Sequence, residues 1–376
     1  MTVRAVVTGA SGAGHARYTY RLRVSVTAGA ALSAEWDRCR WVWNECVAKS
    51  RAVHQHNLAH PEEKLTCGPA QLDRMLTRAR HTTSWLREGS TVPQQQIIRD
   101  FGKARTKALK DIRDHLPVRQ RTGRPQWKSK RDALPSLNYT RRGFRLRDGC
   151  LELAGGTTLT VVWSRDLPAD PSSVRVYQDT LGHWYASFVV PATVDPLPAT
   201  GAVIGIDWGV KETATTTSHA HDLPHAEHGT KAKAHKKVAR QRQDTGRKWA
   251  KRIVRDHDAV AVEDFHPKFL ARSTMARKAQ DAAIGATKQA LIDMGRKHGR
   301  DIRLVHPAYT TMDCAQCGAR AKHALPLGER TYTCSTCEAV SPRDKNSARV
   351  MLIRAGLLPA DADGGRPPGA QLPEAA

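Results

Sequence analysis

Two Cys-x2-Cys pairs, Cys314 with Cys317 and Cys334 with Cys337, stand sixteen residues apart, and Asp344 follows the last cysteine by seven positions. Four thiolates at this spacing match a tetrahedral structural zinc ribbon, which leaves no coordination position for a catalytic water. His306 and His323 are alternative ligands by type, although four cysteines already complete the set. Three acids offer a second chemistry. Asp207 follows the apolar run 203–206, Glu263 follows 259–262, and Asp344 lies at the start of a C-terminal helix. Gathered carboxylates repel one another unless cations sit between them, and an all-oxygen donor set suits Mg²⁺ or Mn²⁺. A pair of such ions can activate a water and stabilise the leaving oxygen in phosphodiester cleavage. Each acid alone also fits a plainer role. Asp207 could be a turn or cap residue, Glu263-Asp264 a surface turn, and Asp344 a favourable charge at a helix N-terminus.

Convergence of the three requires two neighbouring strands and an adjacent helix. The apolar runs 203–206, 259–262 and 302–306 read as strands, separated by helical patterns over about 231–255 and 274–298. The final helix is expected over about 342–355, with Ala348, Met351, Leu352 and Ala355 on one stripe. Ser341 reads as its cap and Pro342 as its first position. Lys236, Lys237 and Arg240, with Arg242, Arg247 and Lys248, would make the helix after Asp207 a basic surface.

Residues 1–16 are rich in Gly, Ala and Ser and read as flexible. Alternation over 17–26 then predicts a strand with Tyr18, Tyr20, Leu22, Val24 and Val26 on one face and Arg17, Arg21 and Arg23 on the other. A helix follows with Leu32, Trp36, Cys39, Trp43 and Val47 on one stripe, and a second, about 93–113, with Ile97, Phe101, Ala104, Ala108 and Ile112 inward. The segment 119–131, RQRTGRPQWKSKR, has no acid, and Gly123 and Pro125 break any helix. Arg119, Arg121, Arg124, Lys128 and Lys130 around Trp127 suit phosphate neutralisation with base stacking, or a mobile surface loop anchored by a buried Trp. Strands dominate 143–190, with a hairpin signal at Asp148-Gly149 and Val174 and Val176 facing Trp184, Ala186 and Phe188. This half is therefore a small β-barrel or sheet with helices inserted after its first strand. Residues 191–200 form a linker, and 359–376 a low-complexity, disordered tail.

A chain of 376 residues with a formal charge of +24 would repel itself strongly unless a polyanion neutralised it. Its Lys and Arg recur along several segments, which favours a long nucleic-acid track. No apolar window is long enough to span a membrane, and the first residues lack the apolar core of a signal peptide. The expectation is a cytoplasmic protein associated with the nucleoid. Reduced thiols there favour zinc over disulfides, and Cys39, Cys46, Cys67 and Cys150 read as packing residues.

GIDWGVKETATTTS from Gly205, AVAVEDF up to Phe265, the two CxxC pairs and SPRDKNSAR from Ser341 resemble the TnpB family. These are OrfB-type proteins of insertion sequences, similar to the compact ancestors of type V CRISPR effectors. The resemblance extends to RYTYRLRV, CRWVWNECV, GRPQWKSKR and RRGFRLRDG in the N-terminal half. It implies an RNase H-like (RuvC) nuclease domain over 201–309 and 341–358, interrupted by the zinc ribbon at 310–340. It further implies a wedge-like β-barrel over 17–195 carrying a helical recognition part at about 30–115. Asp207, Glu263 and Asp344 would be its magnesium or manganese ligands and catalytic residues. The implied activity is RNA-guided DNA cleavage, with a guide RNA from the transposon end, a double-stranded DNA target and a partner transposase nearby. A nuclease-silent or decayed RNA-guided DNA binder and a DNA transposase are the alternative readings; a plain zinc-finger binder would leave the strand-end acids without a role. Three departures from the family pattern stand out. One substantial basic helix fits between Asp207 and Glu263 where the family usually has a long helical hairpin. Glu338 follows the last cysteine where glycine is common, and Ser341-Pro342 stands just before Arg343-Asp344.

Overall fold

The computed structural model describes residues 3–7, 14–209, 212–225, 234–265, 283–323, 325–326 and 328–357. The chain opens with strand β1 (Val3–Val7), where composition had suggested a flexible end. The β-branched run supplies an antiparallel partner for an otherwise unpaired sheet edge further along the chain. Strand β2 (His15–Arg23) buries Tyr20 and Leu22 and exposes Arg17, Arg21 and Arg23. It ends earlier than alternation alone predicts, because Ser25 turns to cap the next helix, accepting from Ala28 N at 3.2 Å. Val26, expected on the apolar face of the strand, instead begins that helix and is 92% exposed.

Helices α1 (Val26–Ala59), α2 (Pro69–Thr82), α3 (Ser84–Arg87) and α4 (Thr91–Arg113) follow. Trp43 of α1 meets Phe101 of α4 edge-on at 5.4 Å. Ile97, Phe101 and Ala108 are buried as their spacing requires, whereas Ile112 at the end of that stripe is exposed. The sheet resumes with β3 (Ser136–Thr140), β4 (Phe144–Arg147), β5 (Cys150–Leu153), β6 (Thr157–Val162), β7 (Ser173–Gln178) and β8 (Trp184–Pro191). Its order is β3-β7-β8-β2-β6-β5-β4. The two edge strands are consecutive in the chain, joined only by the turn Arg141–Gly143, so the sheet curls into a nearly closed barrel. Asp148 and Gly149 take φ of 49° and 75° in the β4–β5 turn, and Val174 and Val176 pair with Phe188 and Ala186. Residues 14–192 form one compact unit; β1 and the residues from 193 onward form another.

The second unit contains β9 (Val203–Trp208), β10 (Glu212–Thr216), β11 (Leu223–Pro224), α5 (Ala234–Asp256), β12 (Ala259–Glu263), α6 (Ile284–His298) and β13 (Asp301–Val305). A two-stranded ribbon, β14 (Thr331–Thr333) with β15 (Val340–Pro342), leads into α7 (Arg343–Arg354). The larger sheet runs β1-β13-β12-β9-β10-β11, with β12 parallel to both β9 and β13. Its even face, with Ile204, Ile206, Val260, Val262, Ile302 and Leu304, packs on Trp249, Ile253 and Leu291 of α5 and α6. The odd face, with Val203 and Ala261, receives Met351, Leu352 and Ala355 of α7. Among the described residues no helix is long and apolar enough to cross a membrane. The expected tail at 359–376 lies outside the described residues, as do residues 274–282 of the helix anticipated before β13.

Candidate functional site

Strand parity decides where the first two acids point. Asp207 shares the face of Val203 and Gly205, and Glu263 that of Ala261, so both belong to the side of the sheet that α7 covers. Gly205 sets how closely the helix approaches. A Cβ there would lie 2.0 Å from the Ala348 carbonyl oxygen and 2.9 Å from Leu352 Cγ, so only glycine admits this contact. With Ala348 fixed over Gly205, Asp344 sits one helical turn earlier, towards the Asp207 end of β9. It is the second residue of α7, a position where the helix dipole favours an acid. The cap differs from expectation. Ser341 and Pro342 are held in β15 by pairing with Tyr332 and Thr331, so Pro342 precedes the first helical residue and no side chain caps the helix.

The three acids share one electrostatic environment. Burial, followed by the Glu263 and Asp344 carboxylates, holds the Asp207 carboxyl well above its usual range, against a smaller opposing pull from Arg343. Glu263 is pushed up to about 7 by burial, despite the Trp208 N–H and the Lys288 ammonium. Trp208 clamps the ends of β9 and β12 together, its backbone N–H donating to Glu263 Oε2 at 3.3 Å and its indole N–H to the Glu263 carbonyl at 3.1 Å. Asp344 is more open, its side chain 38% exposed with Arg330 Nη1 3.9 Å away. All donors are oxygens, as hard divalent cations require, and the mutual repulsion is of the kind that such a cation relieves.

The four cysteines come together. Their sulfurs all lie within 4.8 Å of one another, with Cys314–Cys337 at 3.7 Å and Cys317–Cys334 at 3.6 Å. A tetrahedron with Zn–S bonds of about 2.3 Å has edges of about 3.7 Å, so the set fits zinc. Each pair sits on a matching turn, in which Gly318 N donates to the Cys314 carbonyl and Glu338 N to the Cys334 carbonyl. Burial raises the Cys334 thiol, but the N–H groups of Cys337 and Thr336 outweigh it and bring it to about 6.

The residues after Asp344 fasten this centre to the acids, a function that motif spacing alone does not disclose. Lys345 Nζ donates to the Thr216 carbonyl at 2.8 Å and to Asp222 Oδ2 at 2.5 Å. Asn346 donates to the Asp313 carbonyl at 2.8 Å and accepts from Ala315 N at 3.0 Å, beside Cys314. Fully buried Asp313 lies between Arg320, at 2.7 Å, and Arg354, at 2.5 Å. Arg320 is thus engaged in holding the ribbon to α7.

The basic loop lies in the other unit. Arg119, Arg124 and Lys130 are exposed, whereas Arg121 donates to the Leu116 carbonyl at 2.6 Å. Trp127 is 49% exposed, with the Arg51 guanidinium 5.6 Å from its ring centroid. Lys128 is turned inward over Trp43 at 4.4 Å, and burial lowers its pKa. Lys236 and Lys237 fall in the first turns of α5, where side chains lie outside the described residues; Arg240 is exposed on the same helix. Among the described residues, α5 is the only α-helix between Asp207 and Glu263, beside a single 3-10 turn at His219–His221.

The Cas12f1-like TNB domain family matches residues 285–351, from α6 through the cysteine turns into α7. The protein named "Putative RNA-guided DNA endonuclease" from Streptomyces pristinaespiralis is 30% identical over 385 aligned positions, covering 93% of this chain and 92% of its own. The Escherichia coli K12 protein named "Putative RNA-guided DNA endonuclease InsQ" is 23% identical, covering 84% and 86%. Among solved structures, the Cas12f1-sgRNA-target DNA complex shares the fold with a TM-score of 0.54 at 14% identity, covering 87% of this chain and 83% of that one. Identity of 30% is sustained through 93% of this chain and 92% of that relative, and this chain belongs to the TnpB family.

Proposed function

We propose that this protein is an RNA-guided, metal-dependent DNA endonuclease whose phosphodiester-cleaving site is Asp207, Glu263 and Asp344 in a RuvC-like domain of RNase H fold. The observation that supports the proposal is the close seat of α7 on Gly205, together with an Asp207 carboxyl raised by burial and then by the charges of Glu263 and Asp344. Magnesium or manganese bound there would supply Lewis acidity towards the scissile phosphate and a water of lowered pKa. The chain's own contribution is positional. Trp208 holds the Glu263 carboxylate, α7 carries Asp344, and Lys288 offsets negative charge beside Glu263. The four cysteines hold a structural zinc that braces the start of α7. A guide RNA from the transposon end and a double-stranded DNA target are the partners, in keeping with the names of the relatives and with the +24 charge.

The test is plasmid cleavage by the protein purified with RNA from its own transposon end, in Mg²⁺, against a randomised target flank. Guide-dependent cuts are expected. Asp207→Ala should reduce them by more than about a hundredfold, beyond the cost of losing a metal's outer-shell partner, while RNA binding persists. Tight RNA and target binding without cuts would make the protein a nuclease-silent binder, with the shortened segment between Asp207 and Glu263 the first suspect. Strand transfer without a guide would make it a transposase.

A further inference from the structure

A groove of about 240 Å³ opens between α1, α4 and the loop at Arg124, Pro125 and Gln126, apart from the acids and the cysteines. Val47 and Phe101 form its apolar floor, and Arg51, His54, Arg105 and Arg124 stand around it. No carboxylate lines it. The rim is organised. Arg105 is fixed by bonds to Ser50 Oγ at 3.0 Å and the Cys67 carbonyl at 2.9 Å. Arg51 donates to Gln126 Oε1 at 2.9 Å while its guanidinium lies over Trp127. The loop is in turn pinned by the Trp43 indole N–H on the Gln126 carbonyl at 2.8 Å. Leu109 of the lining is 40% exposed, and Trp127, next in the chain to the lining Gln126 and under the Arg51 guanidinium, is 49% exposed.

An apolar slot with four basic side chains at its rim, two of them fixed by hydrogen bonds, suits a flat apolar group that carries an anion. We propose that this groove receives one unpaired nucleotide, its base against Leu109 or Trp127 and its phosphates on Arg51 and Arg124. A base inside a duplex is stacked on both faces and cannot enter a slot, so the site selects single strands. Guide RNA and an unwound DNA strand present the same chemistry. The inference rests on the nucleic-acid-binding part of the proposed function and is independent of the acidic site.

The experiment measures fluorescence anisotropy with the full-length protein, without added Mg²⁺. Its probes are a short labelled oligouridine, the matching oligothymidine and a blunt DNA duplex. Trp127→Ala and Leu109→Glu alter half-exposed positions, and unchanged melting temperatures would verify their folds. Each should weaken single-strand binding by about tenfold, the loss of one stacked base, and duplex binding by less than about twofold. Arg145→Ala on β4 is the charge-matched control for Leu109→Glu and should affect both probe types alike. A loss confined to oligouridine would identify RNA as the occupant, and one confined to oligothymidine, DNA. Unchanged single-strand affinity in both variants would overturn the groove alone, as would equal losses on single strands and duplex. A wild-type protein that bound none of the probes would overturn the nucleic-acid reading and the groove with it.

Discussion

Two residues in corresponding places, Gly318 and Glu338, carry the same backbone task. Each follows the second cysteine of a pair, and each takes a left-handed conformation, with φ of 78° and 57°. Glycine adopts this geometry freely, whereas an L-residue meets its own carbonyl at a cost of about 1–2 kcal/mol. Glycine's extra freedom in the unfolded chain returns part of that difference. Glu338→Gly should therefore stabilise the protein by about 0.5–1 kcal/mol, read as a higher melting temperature at unchanged zinc content. A lower melting temperature would mean that the Glu338 side chain makes a contact worth more than the strain. Lys128 teaches the complementary lesson. Its charge in sequence suggests a phosphate contact, yet its ammonium is spent on the Trp43 ring, leaving Arg119, Arg124, Lys130 and Arg131 as the loop's exposed cations.

At the scale of elements, α7 is the part on which the site depends. It is held from below by Gly205, at its start by Lys345 on Asp222 and Thr216, and from the ribbon by Asn346 and Arg354 on Asp313. Gly205→Ala would drive a methyl group into the Ala348 carbonyl, so the helix must lift from β9 and carry Asp344 with it. We expect a destabilisation of about 1–3 kcal/mol and a large loss of DNA cleavage, with RNA binding retained. Full cleavage activity with a wild-type melting curve would show that Asp344 does not need this seat. Zinc held by the four cysteines would act on the same helix through Cys314 and its neighbour Asp313. Removing it with a thiol-competing chelator, or by Cys314→Ser, should lower the melting temperature and cost cleavage before RNA binding. Equal zinc content and melting in the Cys314→Ser protein would refute a thiolate zinc site.

For the whole molecule the governing quantity is charge. Lys and Arg number 60 against 36 Asp and Glu. Such an excess suits a protein whose partner is a polyanion, and binding that displaces counterions must weaken steeply with salt. Affinity for duplex DNA should fall by about 10³-fold or more between about 50 and 200 mM salt, if six or more phosphates are contacted. A nearly flat dependence in a titration series would mean that most of these cations face solvent or internal acids. Some plainly do the latter, as Arg320 and Arg354 do with Asp313 and Arg300 with Asp258 at 2.5 Å.

Much of this protein was legible in its sequence because the relevant signals are local. The CxxC pairs, the apolar runs ending in Asp207 and Glu263, the Asp148-Gly149 turn and the stripe of α7 all report chemistry or periodicity within a few residues. Where a local preference had a distant competitor, tertiary structure prevailed. Val3–Val7 became a strand because the edge of β13, some 300 positions later, was open to pairing. Ser341 lost its capping role because β14 claimed its backbone. The partnership of Lys345 with Asp222, the inward turn of Lys128 and the closeness that Gly205 permits depend on which surfaces meet. Residue types and spacing determined what chemistry the chain could perform. Only packing in three dimensions decided which acids share a face, which cations remain exposed and where an apolar floor stays open to a ligand, because burial and pairing are properties of neighbours that need not be near in sequence.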